Sequence, residues 1–251
     1  MVVTKDFVGR TLNSFLIPEL SFAGVRPTLD KQRGILYCVK YSPVWQPVTI
    51  IGINIADGSF NRCIVTEEHA IEALLYQEST DLLWLAFGQS YGNADSGTRL
   101  FAWPPSGTKS VADVFLRKKS LTRRMLLACD EEGRGDLFAL GDAGTFCGRI
   151  RLAARPEGVD PQQPQDARVA AHDLRINPIK EAAILGRRLY VIHSASTCIT
   201  VYDWRNGKRL QIIRASGCSH RLSVSGIGAL FYSDMSTHEK AAVSVVSLSE
   251  F

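Results

Sequence analysis

The densest charge in the sequence is RKKSLTRR, Arg117 to Arg124, with five basic residues in eight. Such a run can serve nucleic acid, anionic lipid or nuclear import. It lacks the interleaved aromatics that would stack on single-stranded bases. Ser120 and Thr122 within it are positioned to accept phosphate, which would cancel much of its charge. A solvated loop of this composition also needs no function at all.

Histidine is the next place to look for chemistry. The chain has His69, His172, His193, His220 and His238. His193 has Ser194 beside it and Asp203 ten residues on, but a Ser–His–Asp triad needs convergence in space, which adjacency in sequence does not supply. His193 therefore reads as a structural histidine linking strands. No GxSxG, HExxH, GxxxxGK[ST] or GxGxxG signature occurs. Cys38, Cys63, Cys129, Cys147, Cys198 and Cys218 form no CxxC pair, and none has a histidine at metal spacing. Several sit in apolar runs, where free cysteine behaves as a small hydrophobe. The expectation is a chain with no catalytic residues, metal site or cofactor.

Composition sets the remaining bounds. A 251-residue chain that is 45% hydrophobic and 22% charged is globular, with a net charge of only +4. Electrostatic preference must then come from local clusters. Lys5 and Asp6 stand where a signal peptide would need an apolar run, and no stretch has transmembrane length. These features point to a reduced intracellular protein of the cytoplasm or nucleus.

The elements that must position these groups are strands. In KEAAILGRRLYVIHSASTCITVYDWRNGKRLQII, β-branched and aromatic runs alternate with turn residues. Four strands in series follow, over 181–185, 189–193, 198–203 and 209–213. Asn206-Gly207 predicts a type I′ hairpin between the last two. The same order recurs in RRMLLACDEEGRGDLFALGDAGTFCGRIRL, in AIEALLYQESTDLLWLAFGQSYGNADSGTRLFAWPPSG, and in GILYCVKYSPVWQPVTIIGINIADGSF, whose Asp57-Gly58 matches Asn206-Gly207. A last copy, HRLSVSGIGALFYSDMSTHEKAAVSVVSL, stops after three strands.

Leu36, Leu83, Leu137, Leu189 and Leu230 mark the second strand of each copy, 47, 54, 52 and 41 residues apart. That spacing suits four-stranded propeller blades. The expected fold is all-β, a single β-propeller domain over residues 1–251 with about five blades. The N-terminal stretch, Val2 to Leu12, would add the strand missing from the last blade and close the ring. Residues 154–178, rich in Pro, Gln and Asp, read as a long mobile loop between blades.

The run VYDWRNGK resembles the end of a WD repeat. Tyr202 stands where Trp is usual, Asp203 matches, and Gly207-Lys208 match the turn. The Gly-His that opens each repeat is absent, and Ser196 stands about where the family has a loop Asp. This WD-like resemblance implies a platform for protein partners.

In a propeller the inner strands line the central channel, so their starts ring one mouth. Those starts carry His69, then Arg123 and Arg124, then Lys180, then His220 and Arg221. A mouth lined by cations would draw an acidic partner. Glu67, Glu68 and Glu181 adjoin and could neutralise it. The expected partner-binding residues are Arg124, Lys180 and Arg221, followed by Arg117, Lys118, Lys119 and Arg123. The competing expectation is a propeller enzyme or a binder of a small anionic or sugar-like ligand at the channel mouth, using His69, His220, Asp142 and Asp234. A third is nucleic acid or anionic lipid on Arg117 to Arg124.

Overall fold

The computed structural model describes residues 2–5, 11–15, 25–40, 47–66, 71–88, 97–107, 109–117, 125–129, 136–141, 147–153, 167–172, 176, 178–193, 198–214, 219–225, 229–234 and 242–247. Their regular elements are all strands. β1 (Val2–Lys5) pairs with β2 (Thr11–Phe15). One four-stranded sheet holds β3 (Thr28–Asp30), β4 (Ile35–Lys40), β5 (Thr49–Asn54) and β6 (Phe60–Val65). The next holds β7 (Ile71–Gln77), β8 (Leu82–Gly88), β9 (Gly97–Trp103) and β10 (Ala112–Arg117). A third holds β11 (Met125–Cys129), β12 (Leu137–Gly141), β13 (Cys147–Leu152) and β14 (Ala167–His172). A fourth holds β15 (Ile179–Leu185), β16 (Arg188–His193), β17 (Cys198–Asp203) and β18 (Arg209–Arg214). β19 (Ser219–Ser225), β20 (Ala229–Asp234) and β21 (Ala242–Ser247) make a three-stranded sheet. In each sheet the order in space follows the order in the chain.

The chain divides into two compact units. Unit 1 comprises Met1–Leu116 and Ala154–Asp166; unit 2 comprises Arg117–Ala153 and Ala167–Phe251. In unit 1, Tyr37, Val39, Ile50 and Ile64 pack against Leu74, Tyr76, Leu83, Leu85 and Phe87 of the next sheet. In unit 2, Phe138, Leu140 and Cys147 meet Ala182, Ile184, Leu189, Val191 and Trp204. The other face of that fourth sheet, with Tyr190, Ile192, Ile199, Val201 and Ile213, packs on Leu222 of β19.

This layering explains the sequence pattern. A strand covered on both faces needs apolar residues at consecutive positions, not alternate ones. β8, LLWLAFG, is buried at its first six positions, and β12, LFALG, at all five. β18, RLQIIR, buries only Ile213. Each large side chain fully removed from water contributes about 1.5–3 kcal/mol, so the second strands anchor their sheets. All five marker leucines stand on second strands: β4, β8, β12, β16 and β20.

Three expectations need correction. Among the described residues the N-terminal stretch pairs locally, β1 with β2 in register from Val2↔Phe15 to Lys5↔Thr11, and the last sheet has three strands. A local hairpin closes a far shorter loop than pairing with the other end of the chain, and loop-closure entropy favours it. Residues 167–172, assigned to the long loop, form β14 and pair with β13 over six positions. ARVAAH has little apolar signal because an outer strand is held by its backbone and leaves Arg168, Val169 and Ala170 exposed.

The third correction concerns the hairpin at Asn206-Gly207. Only Gly207 has positive φ, at 70°, so the turn is not type I′. Instead Asp203 N–H donates to Lys208 O and Gly207 N–H donates to Asp203 O, enclosing a four-residue loop. Asp203 Oδ1 accepts from Arg205 N–H, and Asn206 Oδ1 from Lys208 N–H, each at 2.9 Å. The β5–β6 turn repeats this pattern with Asn54, Asp57 and Gly58, whose φ is 75°. The two turns match, as their sequences imply, but through side-chain caps and one left-handed glycine.

Candidate functional site

The inner strands of unit 2 lie side by side, β15 packing against both β11 and β19. Near the start of β15 the register slips between Ile179, opposite His193, and Glu181, opposite Ile192. Lys180 is the extra residue of that β-bulge and is half-buried. In β19 the register slips between Ser219, opposite Asp234, and Leu222, opposite Tyr232. His220 and Arg221 fill that bulge. Bulges turn a side chain out of the regular alternation and recur beside functional sites. The equivalent slip in β7 of unit 1, between Ile71 and Ala73, holds Glu72. The bulge position is therefore shared by several sheets, while its charge is not.

Of the other expected residues, Arg117 ends β10 and Asp234 ends β20. Lys118, Lys119, Arg123, Arg124, His69 and Asp142 lie outside the described residues, as do Glu67, Glu68 and Ser196.

His193 is buried and satisfied. Its Nδ1 is 3.3 Å from Pro178 O, so Nδ1 carries the proton and Nε2 accepts from Tyr202 Oη at 3.0 Å. The two rings meet edge to face. Tyr202, at the Trp position of the WD-like motif, thus ties β17 to β16. Asp203 cannot serve His193: it stands opposite Arg188, at the other end of β16, about 16 Å away at 3.3 Å per residue. Burial by itself would raise the Asp203 carboxyl. The hydrogen bonds from Arg187 and from the Arg205 backbone, with both positive charges, hold it below the ordinary carboxylate value.

A second cationic cluster was not anticipated. Trp204, buried in unit 2, has the Arg149 guanidinium 5.4 Å and the Arg205 guanidinium 5.5 Å from its ring centroid. Phe138 meets it edge to face at 4.9 Å, and its Nε1 donates to Gly186 O at 3.0 Å. Arg149 and Arg151 share Asp136, and Arg187 pairs with Asp203 at 2.7 Å. Each cation–π contact contributes about 0.5–1 kcal/mol at an exposed site. The alternation of Arg149 and Arg151 in CGRIRL was the available signal, since residues two apart share a face.

Solved structures resemble this chain over most of its length. One from a nidogen/laminin complex aligns at 14% identity and TM-score 0.57, covering 89% of this chain and 75% of that one. The β-propeller domain of Cps50 (Swd1) from Myceliophteria thermophila aligns at 10% identity and TM-score 0.53, covering 89% and 83%. An oligogalacturonate lyase in complex with manganese also aligns at 10% and 0.53, covering 89% and 65%. The fold is a divergent β-propeller. Its four-stranded meanders are propeller blades, and at these identities the likeness is one of fold alone. No protein-family model matches the sequence, and no curated protein matches it. No helix among the described residues is long and apolar enough to cross a membrane.

Proposed function

We propose that this propeller is a non-catalytic interaction scaffold and a subunit of a larger intracellular complex. It takes an acidic segment of a partner protein where the inner strands of unit 2 begin. The observation that carries the reading is that Lys180 in β15 and Arg221 in β19 each fall in a bulge, on strands that pack side by side. Arg123 and Arg124 directly precede β11, the third strand of the group. Arg117, Lys118 and Lys119 belong to the same basic run of the sequence, a few residues before β11. Clustered cations on a rigid frame speed encounter with an acidic surface and fix its orientation.

The test is affinity capture from native extract with the wild-type chain and with Arg124→Glu, Lys180→Glu, Arg221→Glu, circular dichroism confirming that both are folded. A stoichiometric partner should be held by the first and lost by the second. The same partner on both would remove the basic mouth from the account.

A second reading, an enzyme or binder for an anionic or sugar-like ligand, draws on the same bulge. β19–β20 pairing sets Asp234 opposite Ser219, next in sequence to His220. That reading gains if neither form captures protein and a small anion binds the wild type. A steep fall of binding with salt on nucleic acid or anionic vesicles would instead favour Arg117 to Arg124 as the contact.

A further inference from the structure

β18 is the outermost strand of its sheet, so the backbone groups on its outer edge have no strand to bond among the described residues. Ile212 and Arg214 stand on one face, Leu210 is the extra residue of a bulge between Arg209 and Gln211, and Leu210 and Ile212 are each 49% exposed. Ile213, on the opposite face, is buried among Ile199 and Val201. The strand is therefore firmly seated by one side while it presents two branched aliphatics to water.

Its charge is one-sided. From Trp204 to Ser233 the sequence contains no Asp or Glu. Arg205, Lys208, Arg209 and Arg214 are all exposed there. The other outer strands differ. β6 exposes Phe60 as its large apolar residue and β14 exposes Val169, while β10 sets Phe115 near Asp113, which is ion-paired to Arg99. A strand edge that is merely guarded against aggregation puts charge where apolar residues would otherwise be exposed. On β18 the aliphatics lie between the charges instead.

We propose that β18 accepts an extended acidic segment of a partner protein as an added strand. Main-chain hydrogen bonds along the open edge supply affinity, and alternate side chains supply selectivity. Aliphatic residues of the segment pack on Leu210 and Ile212, and its carboxylates meet Lys208, Arg209 and Arg214. This surface is three strands removed from β15, which carries Lys180, so the two contacts can be tested separately.

The probe is a fluorescein-labelled nine-residue peptide alternating Glu with Val and Leu, followed by anisotropy against the full chain, with amide hydrogen exchange on the wild type. Binding should be saturable and should slow exchange in residues 209–214. Leu210→Ser with Ile212→Ser, and separately Arg209→Glu with Arg214→Glu, should each weaken it at least tenfold. A central proline in the peptide should do the same, because it removes a ladder donor while leaving the charge unchanged. The change Arg124→Glu, Lys180→Glu, Arg221→Glu should leave it within about twofold. No saturable binding, or binding indifferent to the proline and without protection of β18, overturns the added strand. Loss confined to that last triple variant would place the peptide at the inner strands and also overturn it.

Discussion

Arg33 grips Asp81 with both arms of its guanidinium, Nη1 to Oδ1 at 2.7 Å and Nη2 to Oδ2 at 2.6 Å, across 48 residues of sequence. The pair joins the β3–β4 turn to the β7–β8 turn. Asp30, fully buried, accepts from Gln32 N–H, Arg33 N–H and Arg33 Nη1, fixing the first turn. Asp81 accepts in addition from Tyr76 Oη at 2.8 Å and holds a left-handed φ of 52°. Short polar side chains tolerate that conformation, so Asp81 fills the turn position that Gly34 fills in β3–β4.

The Asp81 pair should make stability depend on acid. The Arg33 hydrogen bond, opposed by burial and aided by Tyr76, holds the Asp81 carboxyl below its ordinary value. A carboxyl depressed by folding stabilises at pH above its unfolded pKa, about 3.9. That contribution is lost as pH falls towards the folded value. Urea unfolding of wild type and Asp81→Asn at pH 7, 5, 4 and 3 should show the wild-type advantage shrinking below about pH 4. Half-exposed ion pairs are screened, so the advantage should be at most about 1 kcal/mol. Parallel curves would exclude Asp81 as the source.

Asp203 and Asn54 hold equivalent places in their turns, each accepting the backbone N–H two residues on. Asp203→Asn should keep this cap and lose the Arg187 pair, while Asp203→Ala loses both. Denaturant unfolding should show Ala costing about 1–2 kcal/mol and Asn clearly less. Equal costs would mean that the ion pair, not the cap, is what matters.

Gly52 and Gly186 test two different reasons for glycine. A Cβ on Gly52 would stand 2.9 Å from Cys63 Sγ, 3.0 Å from Ile35 Cγ2 and 3.3 Å from the Tyr37 ring. Gly186 has open space but a φ of 57°. Gly52→Ala should cost about 1–3 kcal/mol by overpacking and be partly rescued by Cys63→Ala. Gly186→Ala should cost about 1–2 kcal/mol through its backbone, with no neighbour able to rescue it.

Thiol reactivity should follow burial. Cys38 and Cys147 are fully buried, and burial pushes each thiol up to about 12. With the thiolate as the nucleophile, native protein at pH 8 should leave both unmodified by a thiol-disulfide reagent. Peptide mapping should find modification at Cys129 and Cys198, which are partly exposed. Rapid labelling of Cys147 would contradict its packing with Phe138 and Leu140.

The fourth sheet was legible almost residue for residue. Its runs are bounded by Gly186 and by Asn206-Gly207, and β17 begins and ends at Cys198 and Asp203 as the turn residues imply. β14 was not legible, because an outer strand held by backbone bonds needs no apolar pattern. The structural role of His193 followed from its place at the end of a buried strand. Its partners Tyr202 and Pro178 are nine and fifteen residues away and meet it only through register.

By itself the sequence determined most of the strands and their order, β14 and the β1–β2 pairing excepted, because consecutive apolar positions and turn residues are local consequences of burial and backbone geometry. It also placed Lys180 and Arg221 at the starts of inner strands. Only the tertiary structure decided that both fall in bulges, that Arg149 and Arg205 close on Trp204, and that Arg33 reaches Asp81. Such contacts depend on register between strands and on packing between sheets, and a one-residue shift of register reverses every side chain in a strand.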